Sequence, residues 1–525
     1  MKPVKTILII MLLSFLLINC TSTKKYNLQI NKKHTPLQLQ EDVVCSYKKL
    51  QQLHPNLYQY ISKDSLDLYF NNFKNSLHKP MNSLEFYNEF SPIITKIRQG
   101  HTYIYPAHDR QTKQEIKIKG KRKNPFRLIQ FKTLNNQIFV KNYYGKDSSF
   151  IKGSQLLRID NKDVKSLIKM SLKSKTSDGY NKTLMQEYPY KYIERFYHSA
   201  FKRKDSIELT LKLKDSVYKA YLYAYTKKNK IKKDSLLKKL TKSERKIKRK
   251  EKKARSKWEY THGYNKITKE NTLNLEFIKT KDSSKSIAYM KIRSFSKGDY
   301  ETFFEESFTK IDSAKIGYLI IDLRDNLGGR LDEIIDLYSY LTKEDSYQFT
   351  SPAKMTKANS FSYPFLHKKT FFGKIAIPIM YPILKGVQLF KVRKINEEPH
   401  FVFKSSKQQK PKEKHRFIGK VYVLINGTSF SASSIISNKL QATKRAYLVG
   451  IETGGAYNST VAGVFANIEL PNTKNVLRVG LMVLETPHKQ TPDGYGVKPD
   501  KQIKVTTFEK DEQLDWIIKQ VEETK

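Results

Sequence analysis

Gly427-Thr428-Ser429-Phe430-Ser431-Ala432-Ser433-Ser434 is the stretch on which the fold turns. Ahead of it runs Val421-Tyr422-Val423-Leu424-Ile425, an apolar segment of buried-strand length. Behind it, Ile435-Ile436-Ser437-Asn438-Lys439-Leu440-Gln441 carries apolar residues at helical spacing. A strand that turns through small residues into a helix sets a hydroxyl at the helix N-terminus. There, unpaired backbone N–H groups and the helix dipole favour developing negative charge. Acyl transfer needs such a geometry, a nucleophile beside donors that can hold an oxyanion. The same residues also suit an ordinary capped helix, because serine is a preferred N-cap. Taken alone, the stretch leaves both readings open.

A second strand-to-helix turn lies upstream. Tyr318-Leu319-Ile320-Ile321-Asp322-Leu323-Arg324 reads as a buried strand and the chain from Leu331 onward as a helix. Between them, Asp322-Leu323-Arg324-Asp325-Asn326-Leu327-Gly328-Gly329 ends in two adjacent glycines, which allow a backbone N–H to approach a substrate closely. A tight turn with no further role would look the same.

Composition narrows the function classes. The chain has 525 residues, 39% hydrophobic and 12% aromatic, enough for real cores; its length allows roughly two to four domains. Lys and Arg number 98 against 50 Asp and Glu, a formal net charge of +48. That excess is spread along the whole chain and accompanies no nucleic-acid motif, so nucleic acid is not an expected partner. No cysteine/histidine cluster suggests a metal, and no cofactor is implied.

The N-terminus joins basic Met1-Lys2-Pro3-Val4-Lys5 to an apolar run from Ile7 to Ile18, the pattern of a secretory signal too short to span a bilayer. Leu17-Ile18-Asn19-Cys20 resembles a bacterial lipoprotein box with Cys20 as the lipid-bearing residue; plain secretion with another cleavage site is the alternative. The expectation is a cell-envelope protein, periplasmic or on the outer membrane, anchored through Cys20. Cys45 is then the one remaining cysteine, and no intrachain disulfide forms.

Beyond a signal at 1–20 and a polar tether at 21–36, the spacing of Leu39, Val43, Val44, Tyr47, Leu50 and Leu53, and of Leu66, Tyr69, Phe70, Phe73 and Leu77, predicts a helical domain over 37–125. Ser83 is its expected N-cap on a later helix. Short strands follow over 126–225, with Gln137-Ile138-Phe139-Val140 and the alternating Glu208–Leu213. Within them, Ile151 to Val164 (a turn, an apolar strand, a polar turn, then Val before a helix) reads as a PDZ-like module, of the kind that captures a peptide as an added strand; a generic hairpin is the plainer reading. Residues 226–272 form a basic insertion, a solvated helix or loop, with anionic-surface binding as the functional alternative. The last unit, 273–525, is α/β, with an insertion at 344–417 that reads as a lid or a docking surface.

The two turns, the Gly100-His101-Thr102 region, the PDZ-like part and Gly496-Val497-Lys498-Pro499-Asp500 occur in an order that resembles the tail-specific (C-terminal-processing) and tricorn-core serine peptidases. The resemblance covers most of the chain after the signal. It implies a crotonase-like α/β catalytic core. It places the nucleophile at Ser431, with Ser429 and Ser433 as rivals, and the oxyanion donors at the backbone N–H groups of Ala432 and of Gly328 or Gly329. The tail-specific branch activates its serine with a lysine, where Glu452-Thr453-Gly454-Gly455-Ala456-Tyr457-Asn458 carries Ala456. The tricorn-like branch uses a histidine, which falls on His101; His54 and His108 are lesser candidates. An imidazole can take the serine proton and return it to the leaving amine near neutral pH. Gly100 stands where that branch has a polar side chain, and Asp493 in Pro492-Asp493-Gly494 where it has an acid, although a turn is the bland reading of that tripeptide.

The resemblance therefore implies an envelope serine endopeptidase acting on protein or peptide substrates. A non-catalytic protein binding peptide or an apolar ligand on the same fold is the rival reading. A binder of anionic polymers through the basic insertion is a third.

Overall fold

The computed structural model describes residues 22–119, 123–145, 147, 149–202, 204–224, 242–282, 285–367 and 376–524. The signal and Cys20 lie outside the described residues, as does part of the basic insertion.

Four helices open the chain: α1 (Thr23–Asn31), α2 (Pro36–Leu53), α3 (Lys63–Asn75) and α4 (Ser83–Ile94). The apolar stripes of α2–α4 meet in one core through Leu39, Leu50, Leu66, Phe70, Phe86 and Phe90, whereas α1 buries Tyr26 and Ile30 with Ala107 in a separate cluster. Val44 and Tyr69 of the predicted stripe instead point outward, 53% and 40% exposed. The cap of α4 is Asn82 rather than Ser83. Asn82 accepts from the Leu84 and Glu85 amides while Glu85 returns to the Asn82 N–H, so the reciprocal box begins one residue earlier than expected. The chain then enters β1 (Tyr103–Tyr105) and the short α5 (Lys113–Lys119).

An antiparallel sheet follows, built of β2 (Ile129–Leu134), β3 (Gln137–Tyr143), β4 (Gln155–Ile159), β5 (Lys162–Asp163), β6 (Ser206–Leu213) and β7 (Ser216–Tyr223). Helices α6 (Val164–Ser174), α7 (Thr183–Lys191) and α8 (Ile193–Ala200) are inserted between β5 and β6. Asp160 and Asn161 take positive φ between β4 and β5, as a two-residue hairpin turn requires. Helix α9 (Lys242–Thr261), in the basic insertion, is largely exposed.

The α/β unit is organised on β8 (Leu273–Lys279), β9 (Ser286–Ile292), β10 (Tyr318–Asp322), β14 (Lys420–Ile425), β15 (Ala446–Gly450) and β18 (Lys501–Gln502), in the order β18-β15-β14-β10-β9-β8. All neighbours are parallel except the β8–β9 pair. The period of two explains the unbroken apolar runs. Val421, Val423 and Ile425 face one core, shared with α10 (Tyr300–Ser313), α11 (Leu331–Ser339) and α14 (Ala432–Ala442). Tyr422 and Leu424 face another, under α15 (Glu512–Glu523).

The insertion at 344–417 supplies β11 (Ala353–Lys354), α12 (Tyr363–Leu366), α13 (Ile377–Lys391), β12 (Val392–Ile395) and β13 (Glu398–Phe401). Its strands extend a further sheet whose spine is β17 (Val476–Glu485). That strand pairs with β16 (Ser459–Glu469), β1 and β11. This sheet packs on α2–α4. Buried Asp42 of α2 fastens the β16–β17 turn, accepting from the Thr473 amide and hydroxyl and from the Asn472 amide. Among the described residues no helix is long and apolar enough to cross a membrane.

Candidate active site

The carboxyl ends of β10 and β14 lie side by side, so the two glycine- and serine-bearing turns meet. Phe430 donates its amide to Asn326 O at 3.0 Å, and the Asp325 amide donates to Asn426 Oδ1 at 3.1 Å. A Cβ on Gly328 would lie 2.8 Å from Ser431 Cβ and 2.7 Å from Phe430 O, so only glycine permits this approach. Buried Asp322 anchors the turn through Tyr289, Arg293 and Arg324, and Arg324 continues to Asp511 at the cap of α15. The paired guanidinium groups hold the Asp322 carboxyl far below the ordinary range despite its burial.

Ser431 occupies the N-cap position of α14 at φ 59° and ψ −120°, and its hydroxyl makes no capping bond. Positive φ at a non-glycine residue costs of order 1–3 kcal/mol. The strain lifts Oγ away from the helix amides that an ordinary capping serine would satisfy. The three serines separate on this basis. Ser429 is buried, donating to Leu323 O and accepting from the Asn426 amide. Ser433 is fully buried with an unpartnered hydroxyl. Ser431 is part-exposed, and its hydroxyl has no hydrogen-bond partner among the described residues.

The candidate oxyanion donors also separate. The Gly328 N–H is already bound to Asn326 Oδ1 at 2.9 Å. The Gly329 N–H has no acceptor among the described residues, although its neighbours are tied to Phe295 through Gly328 O and the Arg330 amide. Ala432 is the first residue of α14, where an amide has no partner within the helix.

His101 precedes β1. Its ring stacks on Phe430, with centroids 4.7 Å apart, and on Phe465 at 5.7 Å. Burial, then the positive fields of Arg478 and Lys175, lower its pKa to about 3, so it is neutral at physiological pH. Nδ1 lies 3.3 Å from Thr460 Oγ1, and that hydroxyl donates to Asp178 Oδ2 at 3.1 Å. A threonine hydroxyl has one proton, and here it goes to Asp178. Nδ1 must therefore carry its own hydrogen, which leaves Nε2 as the unprotonated nitrogen. No hydrogen bond joins His101 to Ser431.

Asp178 and Thr460 escaped the sequence reading. Asp178 is fully buried, accepts from the Gly100 amide at 2.7 Å, and is pushed up to about 6 by burial against the pull of its hydrogen bonds. Gly100 thus orients the acid with its backbone, and a Cβ there would stand 2.8 Å from Phe430 Cζ. Ala456, at the position of the absent lysine, is buried in the turn that packs under Ser431.

Asp493 does not reach His101. It accepts from Gln59 Nε2 at 3.0 Å and from the Gly494 amide, and its field raises Asp178. The two acids are nevertheless linked. Each precedes a glycine of positive φ, Gly179 and Gly494, and the two glycine backbones touch so closely that a Cβ on Gly179 would lie 2.4 Å from Gly494 Cα. The Asp-Gly pair at 178–179 was the one local signal available for this acid. His54 is buried, its Nδ1 accepting from the Asn56 amide; His108 lines a separate cleft. Among the described residues no group of His, Cys, Asp and Glu is placed to hold a metal.

Residues 286–503 match the model of peptidase family S41. This stretch is a peptidase family S41 domain. The chain accordingly carries a serine peptidase. Its S41 segment begins at β9 and spans both turns and the C-terminal motif. No curated protein matches the chain in sequence. Among solved structures, mature CPAF complexed with lactacystin is 12% identical at a TM-score of 0.57, covering 89% of this chain and 94% of that one. That likeness establishes a shared mixed α/β fold. The photosystem II D1 C-terminal processing protease is 10% identical at a TM-score of 0.42, covering 90% and 95%.

Proposed function

We propose that this protein is a serine endopeptidase of the cell envelope in which Ser431 attacks the scissile carbonyl and His101 serves as its base. The supporting observation is the Ser431 turn. A serine held at positive φ, its hydroxyl free, stands beside two glycines that admit the approach of a backbone amide. In this reading Nε2 of His101 takes the Ser431 proton. The Gly329 and Ala432 amides hold the tetrahedral oxyanion, and His101 returns the proton to the leaving amine before water releases the acyl group. Thr460 accepts from Nδ1–H, and Asp178 behind it stabilises the imidazolium as it forms. Asp493 acts one step further out, through the interlocked glycine turns. The core is crotonase-like, the 126–225 unit is a PDZ-like selector or gate for substrate, and Cys20 carries the lipid anchor.

The test is labelling by a fluorophosphonate probe, with digestion of an unfolded protein substrate in parallel. Wild type is compared with Ser431→Ala, Ser429→Ala, Ser433→Ala and His101→Ala. Loss of both signals in Ser431→Ala and of proteolysis in His101→Ala is expected. Proteolysis that survives Ser431→Ala would refute the nucleophile. A folded wild type that neither labels nor cleaves would favour the ligand-binding alternative.

A further inference from the structure

Beside the His101 layer opens a cleft of about 800 Å³ between β1, α8 and the loops following α6 and β1. Its walls are tyrosines and cations. Lys175 Nζ lies 3.3 Å from the centroid of the Tyr103 ring and 5.7 Å from that of Tyr105. Arg195 rests on Tyr192 at 4.3 Å and donates to Tyr188 Oη. Arg478, opposite Tyr103 in the β1–β17 register, lies outside this lining, 3.8 Å over Phe465 with a buried Nε that has no partner among the described residues, and its charge acts on Lys175.

Among the described residues no carboxylate pairs with Lys175, Arg195 or Arg478, whereas the acid lining the cleft, Asp109, is engaged by Lys202 and Asn31. Each cation rests on an aromatic face instead of an acid. Their mutual repulsion, on top of burial, lowers Lys175 to about 7. Unneutralised like charges gathered in a recess are relieved by a bound anion. The recess is too large for one small ion and is lined by rings that accept an extended chain.

We propose that this cleft is a substrate subsite for acidic peptide segments, with Lys175 and Arg195 binding Asp or Glu side chains. The inference rests on the peptidase reading for its catalytic consequence, but binding can be measured without turnover.

The full chain carrying Ser431→Ala is titrated into two fluorescein-labelled, C-terminally amidated peptides, one of alternating Glu and Gly and one of alternating Gln and Gly. Binding of the Glu peptide is expected to be about tenfold tighter or more, and Lys175→Met with Arg195→Met should abolish the preference. Because the protein is basic throughout, a control replaces Lys250, Lys252 and Lys253 of exposed α9 by Gln, and the preference should survive. Lys175→Met by itself removes a cation disfavoured by burial, so it should raise the melting temperature, and its loss of Glu binding cannot be ascribed to misfolding. Equal affinity for the two peptides would overturn the proposal. So would a preference that survives the cleft variant and vanishes in the α9 variant, or tight binding of the Gln peptide once its terminus is a free acid. If Ser431→Ala binds as expected while wild type cleaves nothing, the peptidase reading fails and the cleft assignment stands.

Discussion

Thr460 is the residue on which the proposed chemistry is most exposed to test, because its single hydroxyl hydrogen decides the tautomer of His101. Thr460→Val keeps the shape and removes the relay. Its kcat/KM should fall by about ten- to a hundredfold, the range for a group that orients a general base. Thr460→Ser should stay near wild type, which a purely structural role would not require. Asp178 makes a prediction in pH. Its folded pKa of about 6 exceeds the ordinary 3.8, so between those values the folded state binds more protons and stability declines as pH rises. Asp178→Asn should therefore stabilise the fold above pH 6, by up to about 3 kcal/mol, and the gain should disappear below pH 4. Melting at the two pH values checks it. The same variant should lose activity. In wild type the acid limb of kcat/KM should sit near pH 6 and report Asp178, since His101 is neutral down to about 3. A limb unaffected by Asp178→Asn would contradict that assignment.

At the scale of elements, the site is a meeting of two strand-to-helix turns, and its tolerance is set by contact between backbones. Gly328 has φ +90°, and a Cβ would stand 2.7–2.8 Å from Phe430 O, the Ala432 amide and Ser431 Cβ. Gly328→Ala should cost about 2 kcal/mol or more and reduce kcat about a hundredfold or more, because the strain falls on the Ser431 turn itself. Denaturant melts and turnover on one preparation separate the two effects. The helix–turn junction was legible because apolar runs of strand length and helical spacing flanked the small residues on both turns. That the Ser431 hydroxyl leaves the helix uncapped was not, since whether a serine hydroxyl turns to the helix amides depends on φ, and Ser431 takes φ 59° in a turn that Gly328 and Gly455 approach closely.

Across the whole molecule, the unit built on β2–β7 is tied to the 322–330 turn by its own helices. Lys191, at the end of α7, binds Asp325 and Glu187 and reaches Thr428, so its ammonium is held above its ordinary range. Lys191→Met should lower kcat about tenfold through a loosened 322–330 turn while leaving the melting temperature within a few degrees, because the pair is part-exposed. The insertion at 344–417, read as a lid or docking surface, contributes strands to the β17 sheet; a strand of two residues such as β11 has no periodicity to reveal it.

By itself the sequence determined the two buried strands β10 and β14 and the glycine and serine turns at their ends, each written in a short window of spacing or small residues. The candidates Ser431 and His101 came from the resemblance that those turns and the Gly100-His101-Thr102 region carry. Only the tertiary structure decided which acid stands behind the histidine. Asp178, Thr460 and Gly100 lie far apart in the chain and carry no local pattern. What joins them is the docking of one Asp-Gly turn on another and the register of β16 beside His101. A hydrogen-bond chain among side chains depends on distances in space, and local spacing does not record them.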